Sequence, residues 1–338
     1  MEALWYALLA LMLTVYVVLD GFDFGAGIAH LAVARDEAER RLVFAAIGPV
    51  WDGNEVWLIA SGGVLVFAFP RAYAAAFSGF YLPLMIVLWL LVVRGLSIEL
   101  RSHWDQPLWR AFLDVSFAAS STVLAFVLGA ALGNVLRGVP LGDDDGFAAP
   151  LFGAGGALDG YTVLVGAFAV VALGAHGAAY LAWKCEGELL ARNRRLLRRA
   201  LPALALALVA VTAATFCVQP ALFAAFARRP WAWPLPLVVV GALAAAWRAT
   251  ARGRDRAAFL ATSALLAALL AATAASLYPV ILRSTIDPRW DVTAPGAATG
   301  RHGLGWGLTW WLPALALAVV YFVYLFRSFS GKVRAPRH

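Results

Sequence analysis

Gly48-Pro49-Val50-Trp51-Asp52-Gly53-Asn54-Glu55-Val56-Trp57-Leu58 heads an apolar run that continues to Phe69. Asp52 and Glu55 are three residues apart, so on a helix they share one face. Carboxyls at the mouth of an apolar span are costly to keep, and chains that keep them use them. Upstream, Asp20-Gly21-Phe22-Asp23-Phe24-Gly25-Ala26-Gly27 places a second acid pair, at the same spacing, inside another apolar run. The two pairs are expected to meet and form a proton route.

The composition around these motifs is that of an integral membrane protein. Of 338 residues 62% are hydrophobic and only 14% charged, and the mean hydropathy is +0.78. A net charge of +7 invites a nucleic-acid reading, but the basic residues fall in short loops between apolar spans, as membrane topology demands. Cys185 sits in a basic loop and Cys217 inside a span, so two free thiols are expected rather than a disulfide. The first apolar stretch starts almost at Met1, lacks a basic leader and contains acids, so no cleavable signal peptide is expected.

Nine apolar segments can be drawn, each near the roughly 20 residues of a spanning helix. They lie at about 4–32, 48–69, 77–97, 112–136, 158–183, 201–225, 232–248, 257–282 and 306–326. With the amino terminus outside, the inner loops and carboxyl tail carry 20 of the 27 Lys and Arg residues, from Arg35, Arg40 and Arg41 through to Lys332, Arg334 and Arg337. That asymmetry places the carboxyl terminus inside. Trp5, Tyr6, Trp231, Trp233, Trp306, Trp310 and Trp311 then fall at outer helix ends, as an aromatic belt would. Asp143, Asp144 and Asp145 read as a solvated outer turn.

A weak internal repeat appears at an offset of 149 residues. Gly25, Ala26 and Ala29 match Gly174, Ala175 and Ala178, and Arg35, Glu37 and Glu39 match Lys184, Glu186 and Glu188. The fold class expected is therefore an all-α integral membrane protein of about nine transmembrane helices, two pseudo-repeated four-helix bundles plus one helix. The first half covers residues 1–140, the second 155–284, and the ninth helix with its basic tail 300–338. Asp20 and Asp23 correspond to Ala169 and Ala172, so the acids belong to the first half only.

The first helix runs inward and the second starts inside. Asp20, Asp23, Asp52 and Glu55 should then gather in the inner half of one bundle, with Arg94, Glu99 and Arg101 of the third helix near enough to supply counter-charge. Burial favours a neutral carboxyl and a nearby guanidinium an ionised one, so alternating such groups, with water between, can pass protons. The competing reading is an acid–arginine lock that only fixes helices together, and it is preferred for Glu99 and Arg101. Gly21, Gly25 and Gly27, and later Gly62-Gly63, would allow close helix approach.

Of five histidines, only His176, in Gly174-Ala175-His176-Gly177, is placed well inside a span. It is the one candidate haem ligand by position, with helix packing the preferred reading. No HExxH, His–Cys metal spacing, Walker sequence or Ser–His–Asp arrangement occurs, and no metal site is expected.

These motifs together resemble one family. Asp20-Gly21-Phe22-Asp23-Phe24-Gly25 is similar to the DGFDxG signature of subunit II of the cytochrome bd quinol oxidases, and Trp51 to Leu58 to that family's WDGN-x-VWL. Tyr73-Ala74-Ala75-Ala76-Phe77-Ser78-Gly79-Phe80-Tyr81 resembles the start of its third helix, Arg94 and Arg101-Ser102 basic positions at that helix's inner end, and Gly133 to Pro140 its GN-x-x-x-GVP turn. The resemblance is dense over residues 20–140 and thin beyond. It implies a nine-helix, haem-free subunit of a bacterial inner-membrane complex. Its obligate partner, subunit I, would hold two b haems, a d haem or third b haem, and the quinol-oxidising loop. The complex would oxidise quinol and reduce oxygen to water with cytoplasmic protons. It could also include a structural quinone and a small single-helix subunit. Carried over residue by residue, Asp23 and Asp52 match proton-path acids at the subunit interface, with Asp20 a third member, Glu55 beside them and Arg94 their partner. Trp51 and Trp57 match positions near quinone and oxygen access respectively, with packing as the alternative for both. His176 stands where relatives can carry Gln, which argues against ligation, and the short second half is similar to compact, cyanide-insensitive members.

Two other function classes fit the same residues. One is a proton-coupled secondary transporter using the midplane acids; against it, the broken helices usual in transporters are not obvious. The other is a structural membrane scaffold.

Overall fold

The computed structural model describes residues 1–147, 150–153 and 156–333. Residue 155, where the second half was drawn to begin, and Arg334, Arg337 and His338 of the tail lie outside the described residues. In chain order the helices are α1 (Glu2–Val33), α2 (Glu37–Ile47), α3 (Trp51–Ala68), α4 (Pro70–Gly79), α5 (Tyr81–Leu100), α6 (Pro107–Arg137), α7 (Gly160–Lys184), α8 (Gly187–Val218), α9 (Pro220–Ala227), α10 (Pro234–Ala251), α11 (Asp255–Leu277), α12 (Ala294–Ala297) and α13 (Arg301–Ser328). A two-stranded antiparallel ribbon, β1 (Val280–Leu282) with β2 (Val292–Thr293), follows α11. The helical membrane class is as expected.

Among the described residues, eight helices are long and apolar enough to cross a membrane: α1, α5, α6, α7, α8, α10 with its preceding turn, α11 and α13. The expected second span, α3, is shorter and carries Asp52, Asn54 and Glu55 in its first turns, which lowers its hydropathy. It nonetheless runs antiparallel to α1. Asn54 meets Asp23 at one end, and Phe67 packs on Trp5 at the other, ring centroids 5.2 Å apart. Eighteen residues rise about 27 Å, close to the hydrocarbon thickness of about 30 Å.

Several boundaries differ from the sequence expectation. The segment drawn at 77–97 divides into α4 and α5 at Phe80, and α4 packs against the ribbon and α12 at the outer end rather than crossing. The segment drawn at 201–225 starts at Gly187, because the basic stretch before it is helical, and it breaks at Gln219 ahead of Pro220. Pro at N1 costs a helix nothing because that N–H has no intrahelical partner. The last part of the segment drawn at 257–282 is strand β1. At the end of α6, Gly138 has φ +98°, which no side chain tolerates well, and its turn lets Val139 pair with Arg283 and Thr285.

α1 and α7 form the centre. They cross where Gly25 meets Gly177: a Cβ on Gly25 would lie 2.0 Å from the Leu173 carbonyl oxygen, so only glycine permits the approach. By contrast, Gly62 and Gly63 have nothing within 4 Å of a built Cβ and bring no neighbour close. The outer aromatic belt is also only partly as expected. Trp231, Trp233, Trp306 and Trp310 are exposed, but Trp5 and Trp311 are core residues. The Trp5 indole N–H donates to the Leu304 carbonyl, and its ring packs against Trp311.

Candidate functional site

Residues from α1, α3 and α5 meet in the half of the bundle expected to face inward. Arg94 of α5 has a fully buried side chain. Its Nη2 donates to Asp20 Oδ1 at 2.6 Å and its Nη1 to Glu55 Oε1 at 2.6 Å. Its guanidinium also lies over the Phe24 ring, 4.4 Å from the centroid. Asp23, one turn from Asp20 and equally buried, accepts from Asn54 Nδ2 at 2.7 Å through Oδ2. Asp23 Oδ1, Asn54 Oδ1 and Arg94 Nε are buried with no protein hydrogen-bond partner, which in a native interior marks places for water. Two carboxyl groups therefore share one guanidinium, with a third, Asp23, one turn away. Such a group has more proton-accepting oxygen than fixed positive charge, the condition for taking up and releasing a proton.

Asp52 is not part of this group. It sits on the exposed face of α3, in a stripe continued by Val56, Ile59, Gly63 and Val66. Spacing of three residues turns a helix by about 60° short of a full circle, enough here to aim Glu55 at Arg94 and Asp52 away. The four acids expected to gather are thus three inside and one on the protein surface. Of the two tryptophans, Trp57 is buried 5.5 Å from Phe322 of α13 by ring centroids. Trp51 is half-buried against Gly95.

A second ionic cluster lies further along the same end of the bundle. Asp114 of α6 accepts from Arg101 Nε at 2.6 Å and from Arg40 Nη1 at 3.0 Å, and pairs with His30 Nε2 at 2.8 Å. Arg101 also bonds Glu37, whose side chain is 39% exposed. Burial works against ionisation of Glu37, but hydrogen bonds from Arg101 and Arg41 outweigh it and hold the carboxyl below its ordinary range. Arg101 therefore acts as the helix lock expected of it. Glu99 is exposed and sits outside both clusters.

His176 is fully buried, with both ring nitrogens engaged: Nδ1 with Thr262 Oγ1 at 2.8 Å and Nε2 with the Val18 carbonyl at 3.0 Å. Its ring stacks on Phe259 at 5.0 Å. A haem ligand needs a free nitrogen lone pair, so this residue fits packing and not ligation. Among the described residues no group of three or more His, Cys, Asp or Glu side chains is disposed to hold a metal.

The family described as "Cytochrome bd terminal oxidase subunit II" matches residues 1–329. The chain belongs to that family. It is 31% identical over 301 residues to the cytochrome bd ubiquinol oxidase subunit 2 of Bacillus subtilis, covering 89% of this chain and 87% of the relative. It is 38% identical over 194 residues to the cytochrome bd-I ubiquinol oxidase subunit 2 of Escherichia coli, 56% of this chain and 51% of that one. The fold is also similar to a chain in the bd oxidase of Geobacillus thermodenitrificans, with TM-score 0.78 and 19% identity over 97% and 98% of the two chains.

In this subunit II the acids of α1 and α3 were legible from sequence, whereas Asp114 and His30 were not singled out. The signal was present. Asp114 is an acid in Leu108–Ser121, an otherwise largely apolar run, and an intramembrane carboxyl warrants attention by itself. His30 falls in the last turn of the span drawn at 4–32, and in the structure, where α1 continues to Val33, it is completely buried.

Proposed function

We propose that this chain is the haem-free subunit of a membrane-bound quinol:oxygen oxidoreductase in the bacterial inner membrane. Its amino terminus would lie outside and its carboxyl terminus in the cytoplasm. It would pair with a haem-bearing subunit I that carries the b haems and the d haem or third b haem. Those haems supply the electron transfer and oxygen reduction, and no step of that chemistry falls on residues of this chain. Its own part is to bring protons from the cytoplasmic side through Asp20, Asp23 and Glu55, held in place by Arg94, and to deliver them by way of Asp52. The observation that carries this reading is the sharing of one buried guanidinium by Asp20 and Glu55, with Asp23 one turn away and partly unbonded. Asp52 heads an exposed apolar stripe on a membrane-spanning helix, the surface a second membrane subunit would cover. Trp51 and Trp57, on the same helix, would flank quinone or oxygen access.

The alternative of a proton-coupled transporter gains no support, because α1 and α3 run unbroken through the acid group. Two four-helix halves plus a ninth helix remain our reading of the domain plan. In its favour, the Gly25–Gly177 contact has an image under the 149-residue offset, Ile28 against Gly174, and that contact also occurs.

Purification of the tagged chain from its native membrane tests the reading. A second, haem-containing chain should co-purify, with a reduced-minus-oxidised haem spectrum and quinol-dependent oxygen consumption. A colourless single-chain preparation competent in transport would overturn it.

A further inference from the structure

One face of α1 carries Asp20, Asp23, Gly27 and His30, spaced by three, four and three residues, so they stack in one stripe. The facing side of α6 carries Asp114 and Ser121, seven residues apart and again on one face. The two stripes are in register. His30 bonds Asp114, and the Ser121 hydroxyl fills the notch at Gly27, 2.2 Å from where a Cβ would stand. Three members, His30, Ser121 and Asp23, are buried and retain an unused polar atom: His30 Nδ1, Ser121 Oγ and Asp23 Oδ1 have no protein hydrogen-bond partner. Three orphaned polar atoms in line along one helix–helix seam are the mark of bound water rather than of three independent defects.

We propose that a file of ordered water runs along the α1–α6 seam from His30 past Ser121 to Asp23, and that it is the proton intake for the Asp20–Asp23–Glu55–Arg94 group. His30 and Asp23 are seven residues apart, about 10 Å along the helix. With Ser121 between them, two or three waters at about 2.8 Å spacing close the gap. At the inner end the seam approaches a recess of about 290 Å³, lined by Arg35, Asp36, Glu37, Arg40 and Arg110 and reaching Ala111, one turn from Asp114. The groups facing His30 are Asp114 and Phe117 from α6 and Phe44 from α2, with Arg101 and Arg40 behind the carboxylate. His30 Nε2–H stays on Asp114 throughout. Nδ1 takes a proton from one water and passes it to the next, and the bond to the Asp114 carboxylate holds the ring in place between those two transfers. Asp114 is thus a positioning residue and His30 the relay.

The inference rests on the acid group being a proton route, so Asp23→Asn is measured beside the new variants in the purified, haem-loaded complex. His30→Gln can keep a bond to Asp114 but cannot be protonated, and it should slow oxygen consumption by about a hundredfold, the lower end of the range for losing a proton-transfer group. Ser121→Ala should slow it by less than His30→Gln, because a water can stand in for one hydroxyl link in the file. Both should raise the solvent deuterium isotope effect while haem content and the KM for quinol stay unchanged. A cryo-electron microscopy map that resolves waters should show density between His30 Nδ1 and Asp23. Should His30→Gln fail to assemble, Ser121→Ala and the map decide. Unchanged rates and isotope effects in both variants, or a dry seam, would overturn the intake while leaving the acid group standing if Asp23→Asn is slow. A normal Asp23→Asn enzyme would remove the underlying reading itself.

Discussion

Replacing Arg94 with Gln removes the only positive charge from a group of three carboxyls, and the structure sets the scale of the loss. The Arg94 side chain has no exposed surface and holds Asp20 and Glu55 at 2.6 Å each. Breaking a buried ion pair from one side costs about 3–5 kcal/mol, because the remaining charge is left without water or partner. The two acids should not share that cost equally. Asp20 is fully buried, whereas the Glu55 side chain is 21% exposed and can turn toward solvent. The Glu55 share then approaches the ~1 kcal/mol of an exposed pair, leaving about 2–4 kcal/mol with Asp20. A double-mutant cycle reads this directly. Asp20→Asn combined with Arg94→Gln should show a coupling of about 2–4 kcal/mol, and Glu55→Gln with Arg94→Gln about 1 kcal/mol or less. The assay is thermal unfolding of the complex in lipid nanodiscs at neutral pH, followed by both protein fluorescence and haem absorbance. Equal couplings, or additivity of Asp20→Asn with Arg94→Gln, would refute the reasoning.

Other expectations test the fold around this group. Gly25→Ala places a methyl group 2.0 Å from the Leu173 oxygen and should abolish assembly, whereas Gly62→Ala meets nothing within 4 Å and should leave complex yield unchanged. Asp159 caps α7, and although burial works against its ionisation, the Thr162 amide and Arg137 hold its carboxyl below the ordinary range. Its contribution is therefore in place above the ordinary value of about 3.9 and fades as pH falls through the lower folded value. Asp159→Ala should cost about 1 kcal/mol at neutral pH and flatten the acid limb of a stability–pH curve. Lys332 Nζ donates to the Ala182 and Cys185 carbonyls at the end of α7, while Lys184 Nζ donates to the Phe329 carbonyl at the end of α13. Lys332, four residues past α13, thus caps α7 while Lys184 caps α13, so Lys332→Ala should loosen the end of α7 by about 1–3 kcal/mol, seen as faster amide hydrogen exchange there.

The membrane class was legible because apolar runs of spanning length survive any uncertainty about their ends. So was the nucleus of the site: Asp20, Asp23, Glu55 and Arg94 stand out because charge inside an apolar span is rare. What the sequence could not give was azimuth. Asp52 and Glu55 share a helix face by spacing, but which of them faces Arg94 depends on how α3 is rotated against α1 and α5, and that is a packing result. Trp5 shows the same limit. An indole near a helix end reads as an interfacial anchor, yet close packing around Gly307 and a carbonyl acceptor at Leu304 draw it into the core. The division between α4 and α5 was obscured because the residue at the interruption, Phe80, is itself apolar. Asp114 stands out in the sequence as an acid in an apolar span, but its pairing with His30, 84 residues away in the chain, is visible only in the fold.

The central claim is that the acid group on α1 and α3 delivers protons to a redox centre on another chain. The most direct measurement is proton uptake during a single turnover of the reduced, reconstituted complex with oxygen, followed with a pH dye on the cytoplasmic side, for the unmodified enzyme and Asp23→Asn. Uptake in Asp23→Asn should lag well behind that of the unmodified enzyme while haem reduction and oxygen binding keep their rates. Uptake at the unmodified rate, with all haems present, would contradict the account.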